Sequence, residues 1–304
     1  MTVGYDQPLY ILPFDHRQSY VADLFHWHGP LTAEQHQQVV ASKRVIYEGF
    51  LQAIEEGVPN EHAGILVDET FGEAILRDAG RRGLITALPT EKSGSDEFHF
   101  EYGDDFARHI EAFRPTFAKV LVRYNPEGDA ALNGRQSERL ARLSAYCRSA
   151  RQLFMFELLV PATPPQLASV GGERALFDAR VRPQLVEQTI GLLQDAGVEP
   201  DVWKIEGLEE RADCERVVAA ARRGGRDRVG CIVLGRGADA NKVTHWLETA
   251  ASVPGFIGFA VGRTSFWSAV VGWEDASLSE GEALSQIADR YCKWTTIFER
   301  SRSR

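Results

Sequence analysis

The sequence predicts a (β/α)8 TIM barrel, an α/β fold with eight parallel strands ringed by helices. Three observations lead there. Short apolar runs alternate with longer stretches of helical periodicity. Eight such runs fit within 304 residues, a size that suits one barrel. Both faces of each run are apolar, as expected of parallel strands covered on both sides.

The runs are residues 9–14, 64–67, 84–88, 117–122, 153–160, 202–205, 229–234 and 256–261, and they are rich in β-branched and aromatic residues. Between them lie helical patterns. Residues 238–251 carry Val243, Trp246, Leu247 and Ala250 at helical spacing. Residues 177–196 carry Val181, Leu185, Leu192 and Ala196, and Gly197 follows as a C′ glycine. Residues 279–300 read as one more helix, with Leu284, Ile287, Ala288, Tyr291 and Ile297 on one face. Residues 20–34 read as an irregular loop over one barrel end, and 300–304 as a frayed basic tail. No linker divides the chain, so 1–304 is expected to form a single domain. The rival fold, a doubly wound open sheet, calls for a glycine-rich phosphate loop after the first strand. Phe14-Asp15-His16-Arg17-Gln18 is no such loop.

Composition narrows the partners. The net charge is -9 and the basic residues are dispersed, which argues against nucleic acid and anionic membranes. No apolar run approaches the ~18 residues of a membrane span, and nothing resembles a signal peptide. The four cysteines, Cys147, Cys214, Cys231 and Cys292, lie far apart without a CxxC pair, so reduced thiols and a cytoplasmic setting are expected. A small-molecule partner fits this profile, and a homo-oligomer is left open.

Lys204 is the most informative residue. It sits in the apolar run Asp201-Val202-Trp203-Lys204-Ile205-Glu206, where an ammonium must be desolvated. Burial favours the uncharged amine, and the uncharged amine is a nucleophile. A lysine paired with a buried carboxylate would fit the same run.

The reactive groups of such barrels collect at the carboxyl ends of the strands. There the sequence offers Asp15, His16 and Arg17, then Asp68 and Glu69, then Glu91 and Lys92. The fourth strand holds Lys119 and runs out through Arg123, the fifth holds Glu157, and the sixth holds Lys204 and Glu206. The seventh ends in Gly235-Arg236-Gly237 and the eighth in Gly262-Arg263-Thr264. Glycines there let backbone approach a ligand, a helix start supplies free N–H groups, and arginines add charged donors. Together these predict a phosphate site after strands seven and eight. With a carbonyl substrate at the centre, Lys204 can form an iminium. Glu157, inside an apolar run, suits acid–base work, and Asp15 can orient or accept a proton. Lys119 is a second inward cation. Lysine, carboxylate and phosphate site together favour Schiff-base chemistry on a phosphorylated ketose, with no metal and no other cofactor.

Two other readings compete. A metal-dependent aldolase would use His16, His26 and His28, but the last two, two residues apart, match no recurring zinc spacing. A non-catalytic sugar-phosphate-binding barrel would bind without turnover, and the inward lysines and glutamate count against it.

Several segments carry a family resemblance: Leu12-Pro13-Phe14-Asp15-His16-Arg17, Glu91-Lys92-Ser93-Gly94, the stretch 119–128, Phe156-Glu157 through Pro161, Asp201 through Gly207, Leu234 through Gly237 and Gly262-Arg263-Thr264. In order, they resemble the aldolase-like domain at the carboxyl end of bacterial myo-inositol catabolism proteins, without its kinase half. The layout is more distantly similar to lysine-dependent tagatose-bisphosphate aldolases, whose site aspartate, lysine, glutamate and lysine fall on Asp15, Lys119, Glu157 and Lys204. The resemblance implies cleavage of 2-deoxy-5-keto-gluconate 6-phosphate to dihydroxyacetone phosphate and malonate semialdehyde. Lys92, Arg17 or Arg123 would then face the carboxylate at the far end.

Overall fold

Eight parallel strands close on themselves in sequence order, β1 pairing with β8. The structure is a computed structural model that describes residues 3–303, so Arg304 of the expected tail lies outside the described residues. The strands are β1 Leu9–Pro13, β2 Ala63–Leu66, β3 Ile85–Pro89, β4 Phe117–Arg123, β5 Leu153–Leu159, β6 Val202–Glu206, β7 Gly230–Leu234 and β8 Phe256–Ala260. Each expected run holds one of them, with ends differing by a residue or two.

Helices fill the crossovers: α1 Gln18–Phe25, α2 Ala33–Glu55, α3 Glu69–Arg81, α4 Phe106–Phe113, α5 Ala130–Ala150, α6 Pro164–Ser169, α7 Arg174–Arg180, α8 Arg182–Asp195, α9 Arg211–Ala221, α10 Ala240–Ala251 and α11 Arg263–Glu274. The last, α12 Glu280–Arg302, starts with a capping box between Ser279 and Glu282. It lies against α2, α10 and α11 and buries Ile287, Tyr291, Trp294 and Phe298. Each such side chain contributes roughly 1.5–3 kcal/mol by leaving water. Tyr291 Oη also donates to the Tyr10 carbonyl at 2.6 Å, which ties the helix to β1.

Three sequence expectations change. Residues 18–25 form α1 rather than loop, because Tyr20, Val21, Leu24 and Phe25 recur at helical spacing and pack inward. Its start carries no capping signal, since Arg17 occupies the N-cap without a side-chain bond. The pattern at 177–196 is split at Val181, where Pro183 opens α8 at a position that needs no N–H donor. The expected frayed tail stays helical through Arg302, and Arg300 and Arg302 suit the negative end of the helix dipole.

Strand periodicity builds the interior. Leu9 and Ile11 of β1, Ile85 and Ala87 of β3, Phe117 of β4, Met155 of β5 and Val202 of β6 belong to one apolar cluster inside the barrel. Their neighbours Phe154, Phe156, Trp203 and Ile205 face the helices in the outer core. Side chains alternate with period two, so the residues two further on also point inward, one layer higher. On β4, β5 and β6 those residues are Lys119, Glu157 and Lys204. The apolar lower layers thus deliver titratable groups to the carboxyl end of the barrel.

Candidate active site

The two inward lysines meet over one glutamate. In the sheet register Lys204 lies beside Glu157. Lys204 Nζ sits 2.8 Å from Glu157 Oε2, and Lys119 Nζ is 2.9 Å from the same oxygen. Lys119 also donates to Asp15 Oδ2 at 2.8 Å and to Glu91 Oε1 at 2.7 Å. Lys119 is fully buried and Lys204 almost so. One ammonium therefore faces three carboxylates, while the other lysine has one, shared.

These contacts set the charges. Burial pulls the Lys119 ammonium down, but Asp15, Glu157 and Glu91 outweigh it and hold its pKa well above the usual lysine value. Burial works to raise Asp15, yet Lys119, with Lys204 adding, holds that carboxyl well below the usual range. Glu157 is likewise raised by burial but held low by Lys119 and then Lys204. Glu91 differs: burial outweighs the pull of Lys119, Asp15 adds to it, and its pKa is raised. His16 is pushed down to about 4, chiefly by burial, so its ring is neutral near pH 7.

Lys204 and the carboxylates of Asp15, Glu91 and Glu157 line a cavity of about 660 Å³ at the carboxyl end of the strands. Its wall also includes Arg17, Lys92, Arg123, Arg236, Gly237, Gly262 and Arg263. Arg236 has a left-handed backbone (φ 51), as does Gly237 (φ 67). Its side chain lies 3.0 Å from both Asp178 and Glu206. Arg263 Nη1 donates to Asp23 Oδ2 at 2.7 Å, and its guanidinium stacks 4.8 Å from the Trp267 ring centre. Gly262 must be glycine, since a Cβ there would meet the Pro13 carbonyl oxygen at 2.3 Å. It is the N-cap of α11 and caps no N–H with a side chain. Thr264 Oγ1 donates to the Ala238 carbonyl at 2.7 Å, joining the turns after β7 and β8.

One expectation here is corrected. The helix after β7 does not present open N–H groups, because Asp239 caps α10 by accepting from Asn241 and Lys242. The open helix start is that of α11. Gly235 packs against Val261, where a Cβ would come within 3.1 Å.

The three basic candidates for a far carboxylate differ. Arg17 is already engaged: it donates to the Glu91 carbonyl at 2.7 Å and to Glu101 at 2.9 Å. Lys92 and Arg123 stand exposed at the rim, beside the hairpin that follows β3. Arg123 reaches Ser95 O at 3.4 Å and Asp96 at 3.8 Å.

Other sequence candidates have duties elsewhere. Asp68 caps α3 and pairs with the fully buried Lys43, which also donates to the His16 carbonyl at 3.0 Å. Glu69 accepts from Tyr102 Oη at 2.8 Å. His26 and His28 are exposed on the loop after α1. Among the described residues, no three His, Cys, Asp or Glu side chains are grouped to hold a metal. Sequence reasoning placed Glu91 at a strand end but gave it no role. The signal was available, since Ile85, Ala87, Pro89 and Glu91 follow at steps of two and continue the inward face of β3.

Solved structures share this fold. Fructose-bisphosphate aldolase of Plasmodium falciparum, determined with TRAP and a small-molecule inhibitor, superposes with a TM-score of 0.64 at 12% identity. The match covers 98% of this chain and 91% of that one. Cgl0159 of Corynebacterium glutamicum gives 0.58 at 18% identity, over 97% of this chain and 88% of the other. At these identities the likeness speaks for the barrel alone. No curated protein matches the chain in sequence. The match that spans nearly the whole barrel, over residues 4–302, is to a family described as "Uncharacterized protein conserved in bacteria (DUF2090)", and the chain belongs to that family.

Proposed function

We propose that the chain is a Schiff-base (class I type) aldolase, a carbon–carbon lyase whose nucleophile is Lys204. One observation carries the reading: two buried lysines share Glu157, but three carboxylates surround Lys119 and one contacts Lys204. Lys119 is thereby committed to the charged form and cannot serve as an amine. Lys204, with a single shared carboxylate partner and a place on the cavity wall, is the lysine left to act as nucleophile. The fold shared with an enzyme named as an aldolase is in keeping with this reading.

Lys204 Nζ attacks the ketone carbon of the substrate, and the adduct loses water to leave an iminium. Glu157, in contact with both lysines, moves the protons these steps need. A carboxylate then takes the proton of the hydroxyl β to the iminium carbon. The carbon–carbon bond breaks, its electron pair enters the iminium, and an enamine remains as the aldehyde leaves. Protonation and hydrolysis of the enamine release the second product and regenerate the amine. No cofactor is needed.

Arg236, Arg263 and the open first turn of α11 hold a phosphate on the β7–β8 side of the cavity. Lys92 and Arg123 stand on the β3–β4 side, across the barrel, where a distal carboxylate would lie. The particular substrate, 2-deoxy-5-keto-gluconate 6-phosphate, giving dihydroxyacetone phosphate and malonate semialdehyde in myo-inositol catabolism, rests on the resemblance of the sequence segments. The test is borohydride reduction in the presence of dihydroxyacetone phosphate, followed by peptide mapping. One adduct on Lys204 is expected. No adduct, or one on Lys119, overturns the reading.

A further inference from the structure

The Schiff-base reading leaves one step without an owner: which group carries the proton when the carbon–carbon bond breaks. Three carboxylates surround Lys119, and they are not equivalent. Asp15 is held ionised by that ammonium, so it is a weak base. Glu157 presents the same oxygen to two lysines and is also held low. Glu91 gives only Oε1 to Lys119, while its Oε2 is buried at the cavity wall without a hydrogen-bond partner. An unpartnered buried carboxylate oxygen is costly, and a proton or a substrate hydroxyl relieves that cost. The backbone of Glu91 is fixed by a bridge to Phe100 and by Arg17, which donates to its carbonyl.

We propose that Glu91 is the acid–base residue of the cleavage step, taking the proton from the substrate hydroxyl and returning it to the enamine carbon. The step balances within one group. The hydroxyl O–H breaks and its proton goes to Glu91. The oxygen forms the aldehyde C=O as the carbon–carbon bond breaks, and that bond's electron pair reduces the iminium to an enamine. The enamine carbon then takes the proton back from Glu91, which is left ionised for the next turnover. Its place just beyond β3 suits this, since the phosphate side of the cavity is at β7 and β8 and the departing fragment lies across the barrel.

The charged neighbours of Glu91 are Asp15 and Arg17 in the turn after β1, Lys119 on β4, Glu157 on β5 and Glu101 in the hairpin after β3. Burial outweighs the attraction of Lys119 and Arg17, and Asp15 opposes ionisation. The proton affinity of Glu91 therefore lies above that of an ordinary carboxylate, which suits a group that must both take and give a proton.

The proposal rests on the Schiff-base reading, and one probe, dihydroxyacetone phosphate, separates the two. In deuterated water the wild-type protein exchanges the α-proton of that ketone through the enamine, and borohydride traps the iminium. In Glu91→Gln the borohydride adduct should form within about twofold of wild type. Exchange should fall by roughly 100-fold or more, within the range of a lost acid–base group. The wild-type exchange rate should rise with pH through the Glu91 titration, above the usual carboxylate range, and this limb should be missing in Glu91→Gln. Glu91→Asp should recover part of the exchange and restore the limb. Exchange within threefold of wild type in Glu91→Gln overturns the proposal. So does loss of adduct and exchange together in a folded variant, which would make Glu91 a positioning residue. Absence of an adduct in the wild type sinks the Schiff-base reading itself.

Discussion

Removing the Lys119 ammonium tests the charge arrangement on which the site depends. Lys119→Met keeps most of the side-chain volume and removes the charge. Glu91 and Glu157, both buried, and the partly buried Asp15 are then left facing one another, with Lys204 and Arg17 as the remaining cations nearby. Breaking a buried ion pair by removing one partner costs about 3–5 kcal/mol, because the other charge stays buried and unpaired. At the lower end of the usual conversion, about 2 °C per kcal/mol for large domains, Tm should fall by about 6–10 °C at neutral pH. The sign depends on pH. In the wild type, Asp15 and Glu157 have lowered pKa values, so their contribution is present above the unfolded value near ~4 and is lost as pH falls through the folded values. Lys119, whose folded pKa is raised, contributes below ~10.4 and keeps doing so until pH rises through the folded value. Without the ammonium the three carboxylates prefer to stay protonated, and the variant loses stability as pH rises through the range where they would ionise. The gap in Tm should be widest near pH 7.5 and at most half as large at pH 4.5, by calorimetry in matched salt. A Tm within 2 °C of wild type at pH 7.5, or a gap of equal size at both pH values, would refute the reasoning.

Lys204→Ala should abolish the borohydride adduct and cut turnover by several orders of magnitude, read by intact mass and by aldehyde release. Arg263→Ala should weaken phosphate binding by about tenfold to a hundredfold, mostly as a higher KM, and an unchanged KM for the phosphorylated substrate would mean that the turn glycines were mistaken for a binding site. Activity should survive EDTA and dialysis. Loss on chelation with recovery on adding zinc would favour a metal-dependent aldolase.

The barrel was legible because its signal is periodic. Eight runs apolar on both faces have few other arrangements, and each strand coincides with one of those runs to within a residue or two at its ends. The lysines and Glu157 were legible for a related reason: a charge inside an apolar strand stands out from its neighbours. Glu91 was less visible because it lies just beyond β3 in a polar stretch, where a glutamate is unremarkable; only the step-of-two continuation marks it as inward. The α1 helix was hidden by an uncapped start and by the irregular Phe25-His26-Trp27-His28 that follows. The cap on α10 could have been read from the sequence, since Asp239 sits one residue before the helix and N-cap aspartates are common. No pattern in one sequence tells which arginines have carboxylate partners, because Asp23, Asp178 and Glu206 come from distant segments.

Those pairings bear on the proposed phosphate site without arguing against it. A guanidinium has five N–H donors, more than one or two carboxylate contacts consume. The two arginines are held differently. Arg263 pairs with Asp23, which is 47% exposed, and such a pair is worth about 0–1 kcal/mol. An arriving phosphate can displace that partner at little cost, leaving the cation–π contact with Trp267 to keep the guanidinium in place. Arg236 is anchored on Glu206, a buried residue that also pairs with the buried Arg182 and accepts from the Val160 N–H. Moving Arg236 would uncover a buried carboxylate, so it stays at the wall as a fixed positive charge. On the proposed reading, then, Arg236 gives the site its standing charge and Arg263 is the donor that swings between Asp23 and the ligand. It follows that affinity for the phosphate is set by Arg263 and the α11 start, while the integrity of the β6–β7 wall is set by Arg236 and Glu206.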